Sequence, residues 1–556
     1  MKRYSPVSMN RVKLSVPSIA VLCALFIVVF DNRLFWSTLG KRLGLNQTSD
    51  WWFSLTVGII LVLLFVIHFL LFSYKPIFKP FLTIMLLSAA AISYFMDNFG
   101  VIVDKSMVYN VLETDVNEAS ELLSWPLLWH LLWLAGIPAA LLWMAPVRSC
   151  PWRRALLVRG GLILGCLLII SGLLLTEFKT FALFGRQNKD LKMFVNPFYA
   201  AHSVQRVMAH TYFTPEEKPF KLIATDAVAT PHDRRSVLVL VVGETARAQS
   251  WHMNGYARET NPYLEQQPVL DFSNVQSCGT ATAESLPCMF SALGHGQYKR
   301  DKALHSENIL DVLQRMGVDV VWRDNDSGSK GVATRVAYQN FNKAENSDFC
   351  AAGNCFDEVL LEGLDDLIGS SDKDMLIVLH LKGSHGPSYY KRSPEDFKKF
   401  TPECTQDNIQ DCPREEIVNA YDNTLVYTDF VLDKLIRQLE KQDEATAVLY
   451  LSDHGESLGE NGIYLHGMPY ALAPPEQTHV PMMFWASSLF LEEKHLNLLD
   501  LGHRTGEALT HDYLFHSLLG LFDVQTETYH PELDLFASSR GLSLVQSNSH
   551  GVRDNI

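Results

Sequence analysis

Residues 236–245 read SVLVLVVGET: six consecutive apolar residues, mostly β-branched, that stop at Gly243, Glu244 and Thr245. An unbroken run without polar alternation is the pattern of a strand buried on both faces, as in parallel sheets. Three more stretches repeat the design: GVDVVWRDN at 317–325, DMLIVLHLKGSHG at 374–386 and ATAVLYLSDHGESLG at 445–459. Helical patterns fall between them, for instance over 308–316 and 417–439. Strands alternating with helices imply a parallel sheet with helices on both faces. In such sheets ligands bind beyond the carboxyl ends of the strands. Those ends carry Glu244, His385, and Asp453 with His454, and His466 follows in YLHGMPY.

The first third of the 556-residue chain is different. A bilayer-crossing helix needs about 20 mostly apolar residues. Five runs qualify, at about 14–30, 51–72, 80–96, 125–144 and 155–176, nearly free of charge apart from Arg159. The first lacks a small-residue cleavage site and is expected to be an anchor. Lys2, Arg3, Arg11, Lys13, Lys75, Lys79, Arg148, Arg153 and Arg154 lie in the segments that alternate with an acidic one holding Asp104, Glu113, Asp115, Glu118 and Glu121. The positive-inside rule then sets the N-terminus in the cytoplasm and residues after about 177 outside. Arg33, Lys41 and Arg42 dissent from this topology. The expected organisation is a five-span membrane domain over 1–177, a connector with an amphipathic helix over 178–235, and a catalytic domain over 236–556.

Nine cysteines occur, and six form local couples: Cys278/Cys288, Cys350/Cys355 and Cys404/Cys412. Disulfides persist in oxidising compartments such as the periplasm. Six cysteines permit fifteen connectivities, of which nearest-neighbour pairing is the simplest. No spacing resembles a C-x-x-C zinc knuckle. The net charge of −14 argues against a nucleic-acid partner.

Carboxylates and imidazoles at several strand ends suit a zinc site, whereas a single one of them is more often a cap or a hydrogen-bonded core residue. In SCGTATAESLPCM, Thr280 and Thr282 precede an expected helix with Glu284 and Ser285 in its first turn. A helix N-terminus offers N–H groups to a phosphate. A threonine is a poor nucleophile until a metal or base activates it. Zinc on Glu244, Asp453 and His454 would do so, with the Cys278/Cys288 couple holding the loop.

The stretches GETARAQSWHMNGYARETNPYL, SCGTATAESLPCMF, WRDNDSGSKGV, KGSHGP and YLSDHGESLGENGIYLHGMPY together resemble the membrane-anchored phosphoethanolamine transferases, lipid A modifiers of the alkaline phosphatase/sulfatase superfamily that include the colistin-resistance enzymes. The resemblance covers nearly the whole chain. It implies an α/β alkaline-phosphatase/sulfatase-like domain behind a five-helix transmembrane domain, with one zinc ion, and room for a second at His385 and His466. It implies Thr282 as nucleophile and fourth ligand, and His385 and His466 as catalytic histidines. Ser327 and Lys330 are implied to contact the phosphoethanolamine group. Asn110, Thr114 and Glu118 recur every four residues, a spacing that shares one helical face; the resemblance puts that helix over the site.

The implied reaction moves phosphoethanolamine from phosphatidylethanolamine to lipid A of lipopolysaccharide, through a phosphoethanolamine-threonine intermediate. It would occur at the bacterial inner membrane, by a monomer, and would confer resistance to polymyxin and cationic peptides. Lipopolysaccharide core sugars and periplasmic glucans are alternative acceptors, and lipoteichoic-type phosphoglycerol transfer is the rival chemistry. A sulfatase is disfavoured because the C/S-x-P-x-R pattern is missing around Thr282. A non-catalytic scaffold on this fold would bind no zinc.

Overall fold

The computed structural model describes residues 13–114, 116–148, 151–212, 219–230, 234–342, 347–351, 354–406 and 408–540. Lys2, Arg3, Arg11, Asp115 and Cys150 lie outside them, as does the side chain of Glu118. The chain divides into two compact units, one of 1–105 with 123–211 and one of 106–122 with 212–556. The segment 106–122, expected within the membrane domain, thus clusters with the soluble unit. Residues 178–211 of the expected connector cluster with the membrane unit.

In the first unit, α1 (Val16–Phe30) is followed by α2 (Arg33–Leu43), α3 (Thr48–Leu71) and α4 (Lys75–Phe99). Four helices among the described residues are long and apolar enough to cross a membrane: α3, α4, and two introduced below as α7 and α8. The first expected span differs. α1 has 15 residues, only about 22 Å against a hydrocarbon core of about 30 Å. It bends by 60° into α2, and only the pair together passes as a span. Arg42 on α2 forms an ion pair with Asp190 at 2.5 Å. Its charge is therefore neutralised locally, which accounts for one dissenting residue of the topology count.

The helices α5 (Lys105–Glu113) and α6 (Val116–Glu121) precede α7 (Trp125–Met144) and α8 (Trp152–Thr176). α7 contains a π-helical stretch at Leu132–Gly136, just before Pro138. α8 presents Leu157, Leu168 and Leu175 outward, as a lipid-facing helix does. Then come α9 (Phe178–Gln187) and α10 (Phe198–Tyr212).

The second unit is built on eight strands: β1 (Ser236–Gly243), β2 (Leu270–Gln276), β3 (Asp319–Asp324), β4 (Ala337–Asn340), β5 (Met375–His380), β6 (Ala445–Ser452), β7 (His479–Ala486) and β8 (Leu509–Thr510). Their order is β8-β2-β7-β6-β1-β5-β3-β4. β6, β1, β5, β3 and β4 run parallel, whereas β7 is antiparallel to both β6 and β2. The sheet is therefore mixed rather than wholly parallel. β1, β5 and β6 are buried at every position. Leu238, Leu240, Val242, Leu376, Val378, Ala447 and Leu449 form one core with Phe290, Trp322 and Phe515. Each large aliphatic side chain so buried contributes roughly 1.5–3 kcal/mol. The helix α11 (Thr282–Met289) follows β2, α12 (Ile309–Arg315) precedes β3, α13 (Arg414–Leu439) precedes β6, and α14 (Asp512–Leu521) follows β8.

Candidate active site

The register of the sheet assembles the site. Gly243 is paired with Ser452, Val242 with His380, and His380 with Asp324. The last residues of β6, β1, β5 and β3 therefore stand in adjoining rows. The chain leaving each row carries Asp453 and His454, Glu244, Lys382 to His385, and Asp326 to Lys330. Gly383 has φ +51°, and a Cβ there would lie 2.6 Å from the Glu244 carbonyl oxygen. Only glycine lets this loop pass so close to the strand β1 exit.

Four of the expected ligands converge. Thr282 Oγ1 donates to Glu244 Oε2 at 3.0 Å and lies 3.3 Å from His454 Nε2. That nitrogen is 3.5 Å from Glu244 Oε1 and 3.3 Å from Asp453 Oδ2. All four side chains are buried. His454 Nδ1 lies 3.0 Å from the Gly455 carbonyl, which can only accept. The proton therefore sits on Nδ1, and Nε2 turns a lone pair toward the two carboxylates. Asp453 Oδ2 is buried with no hydrogen-bond partner. Burial pushes the Asp453 carboxyl up to about 6 and the His454 imidazole well below its usual range. Two carboxylates, a neutral imidazole and a hydroxyl around one point are a donor set that fits a divalent cation such as zinc.

Thr282 is the first residue of α11, where N–H groups are unpaired. Two features hold that turn. Cys278 is bridged to Cys288 with Cα atoms 6.0 Å apart. The second feature, His511, was passed over in the sequence. Its Nε2 bonds the Ser452 carbonyl at 3.0 Å and its Nδ1 accepts the Cys278 N–H at 3.1 Å. His511 thus ties the loop that leads to Thr282 to the end of β6. Complete burial lowers its imidazole to about 3, so it is neutral in the fold. An unfolded imidazole titrates near 6.5, so this contribution is complete above 6.5 and is lost as pH falls toward 3. The chain is expected to lose up to about 1.4 kcal/mol per pH unit from this group across that window. In His511→Gln the slope of unfolding free energy against pH between 6.5 and 4 should flatten accordingly.

The other two histidines stand beside the cluster. The His466 ring centroid is 4.5 Å from that of His454 and 5.6 Å from that of His385. His466 Nδ1 bonds Glu456 Oε2 at 2.9 Å, and Tyr389 OH donates to Glu456 Oε1 at 2.5 Å. Glu456 and Tyr389 were not singled out in the sequence; the only signal was a carboxylate two residues after His454. Burial lowers His385 to about 3, leaving a neutral ring. Glu456→Gln removes the anion that fixes His466. Transfer should fall roughly 10- to 100-fold, and the alkaline limb of the pH–rate profile, where a proton-donating His466 is lost, should move to lower pH, because removing an anion lowers an imidazole pKa. Steady-state rates from pH 5 to 9 check this.

Ser327 and Lys330 lie on the turn after β3. Lys330 Nζ donates to Ser327 Oγ at 2.6 Å and to the Glu113 carbonyl at 3.4 Å. The segment of α5 and α6 is pinned against these loops. Arg300 pairs with Glu113 at 2.5 Å, and Arg392 pairs with Glu121 at 2.7 Å while its Nε bonds the His385 carbonyl. A Cβ at Gly467, next to His466, would collide with Met107 of α5.

Asn110, Thr114 and Glu118 do not share one continuous helix. α5 ends at Glu113 and α6 begins at Val116. The Thr114 hydroxyl and N–H both bond the Asn110 carbonyl, at 2.7 and 2.9 Å. A threonine that bonds back to its own helix competes with the next turn.

The remaining couples are also bridged: Cys350 to Cys355 and Cys404 to Cys412. Cys23 and Cys166 are free.

Comparison with known proteins agrees with this geometry. Residues 236–524 match the Sulfatase family, and residues 61–212 match the family described as phosphoethanolamine transferase EptA/EptB. Phosphoethanolamine transferase EptA of Escherichia coli (strain K12) is 38% identical over 548 residues, covering 96% of this chain and 99% of that protein. Phosphatidylethanolamine transferase Mcr-1 of Escherichia coli is 39% identical over 521 residues, covering 91% and 94%. Among solved structures, the integral membrane protein lipooligosaccharide phosphoethanolamine transferase A (EptA) from Neisseria meningitidis superposes with a TM-score of 0.91 at 35% identity, covering 95% of this chain and 100% of that one.

Proposed function

This chain belongs to the phosphoethanolamine transferase family, as a multi-pass inner-membrane enzyme with a sulfatase-like domain, and from that premise we propose its donor, acceptor and nucleophile. The donor is phosphatidylethanolamine, and the acceptor is a phosphate of lipid A. Thr282 Oγ1 releases its proton to solvent and attacks the donor phosphorus as the bond to the diacylglycerol oxygen breaks. The departing alkoxide takes a proton from protonated His466, with the neutral ring of His385 beside it as a hydrogen-bonding partner. Phosphoethanolamine is then held as an ester of Thr282 until an acceptor oxygen displaces it, its proton going to the same imidazole.

The reading is carried by one observation: a buried threonine hydroxyl at a helix N-terminus, 3.0 Å from Glu244 and 3.3 Å from His454. Glu244, Thr282, Asp453 and His454 would hold a zinc ion. Bound there, it supplies positive charge that lowers the hydroxyl pKa and offsets phosphate charge. The turn bearing Ser327 and Lys330 receives the phosphoethanolamine group, with Lys330 as a point charge. Asn110 and Thr114 line the approach of the ethanolamine, a role proposed for Glu118 as well, whose side chain lies outside the described residues. An added ammonium reduces the surface charge that attracts cationic peptides.

The test supplies membranes containing the full-length enzyme with labelled phosphatidylethanolamine or labelled phosphatidylglycerol, and reads the intact mass of lipid A. A phosphoethanolamine increment bearing label from the first donor alone is expected. Label from phosphatidylglycerol, or an increment on core sugar instead of lipid A, refutes the proposed donor or acceptor respectively.

A further inference from the structure

His380 ends β5 and is wholly buried. Its Nδ1 lies 3.0 Å from Asp324 Oδ2. That carboxylate is saturated: it also accepts Trp322 Nε1–H at 2.8 Å and the N–H groups of Asp326 and Gly328 at 3.1 Å each. An ionised carboxylate can only accept, so a His380 proton is on Nδ1, which leaves Nε2 to a lone pair or to a second proton. Nε2 has no hydrogen-bond partner. Its approach to Asp326 Oδ2, 4.0 Å, is too long for one. Asp326 is buried too. Its Oδ2 accepts from Ser327, while its Oδ1 has no partner.

Ligand atoms of Glu244, Asp326 and His380 lie within 4.8 Å of one another. A ring oriented through Nδ1 by a carboxylate, with Nε2 turned into a buried acidic pocket, is the arrangement of a metal-ligating histidine. We propose that Glu244, Asp326 and His380 hold a second divalent cation, zinc or manganese in class, in a site that shares Glu244 with the first. One imidazole and two carboxylates suit those ions better than calcium. The site is separate from the His385 and His466 pair. It rests on the metal reading of the first site only through the shared Glu244. Its consequence is mechanical: the ion fastens Asp326, and with it the turn bearing Ser327 and Lys330, to the carboxylate that Thr282 contacts. The rival occupant of the pocket's charge is a proton on His380 Nε2.

The experiment strips the full-length protein with a chelator, reloads it with Zn²⁺ alone and removes the excess. It then counts zinc per chain by elemental mass spectrometry and maps zinc by anomalous scattering in crystals. Wild type should show a peak among Glu244, Asp326 and His380 and a separate one beside Asp453 and His454. Asp326→Asn and His380→Gln should each lose the first peak and one zinc per chain while keeping the second. Wild-type crystals with no peak among Glu244, Asp326 and His380 overturn the proposal, wherever else zinc is found. So does an Asp326→Asn protein that keeps that peak. Because the two sites give separate peaks, loss of the Asp453 peak speaks against the proposed reaction and not against this site.

Discussion

Thr282→Ala is expected to abolish transfer, with a fall of about 10³-fold or more. Neither neighbouring hydroxyl of this loop is free to replace it. Ser285, the next on α11, donates its proton to the Asp453 carbonyl at 2.5 Å. Thr280 donates its own to the Met468 carbonyl at 2.6 Å. The variant removes two buried contacts and a methyl group, so the fold should persist. Intact-mass spectrometry of enzyme quenched during turnover should find a phosphoethanolamine adduct on the wild type and none on the variant. Thr282→Ser keeps the hydroxyl and should keep the adduct at a reduced rate. An adduct that survives in Thr282→Ala removes the threonine from the mechanism.

Asp453→Asn should produce a fall of about 10²–10⁴-fold together with loss of zinc. The side chain keeps its shape and its acceptor for the His454 N–H, which bonds Asp453 Oδ1 at 2.7 Å. It loses the negative charge at Oδ2, the atom without a partner. Stability separates this from a folding defect. In the metal-free protein, burial already disfavours the Asp453 charge, pushing it up to about 6. Its pKa is raised over an unfolded value near 4, so the protonated form is the stabilising one and the stability it brings is lost as pH rises through 6. Metal-free Asp453→Asn should therefore be no less stable than metal-free wild type at pH 7.5. Zinc at about 1,000 times its Kd should stabilise wild type by about 4 kcal/mol and the variant by much less. Unfolding measured with and without zinc reads both arms.

The expected resistance phenotype follows from these two variants only through lipid A, so mass of lipid A is a more direct readout than growth in polymyxin.

Some of this molecule was legible one segment at a time. VLVLVV, MLIVLH and AVLYLS, short and rich in β-branched residues between polar stops, read as strands covered on both sides, and the polar residues that stop them then sit on one edge. That reasoning reaches Glu244, Asp453 and His454 without any partner being known. Local couples of cysteines are legible for the same reason: a separation of 10, 5 or 8 residues leaves few ways to close a loop.

What escaped the sequence depends on partners far along the chain. β2, LDFSNVQ, alternates poorly, and β7 holds Pro481 beside a register shift between Val480 and Met482. Neither reads as a strand until its neighbours supply the hydrogen bonds. His380 lies inside an apolar strand run and looks structural; only the register that sets it between Val242 and Asp324 makes it a potential ligand. His511, Glu456, Tyr389 and Arg392 act on the site across separations the chain order hides, such as 233 residues from Cys278 to His511. Residue type and local period determine which side chains are capable of chemistry, because those are properties of short segments. Which of them face one another was decided by strand order and register, which exist only once distant segments have paired.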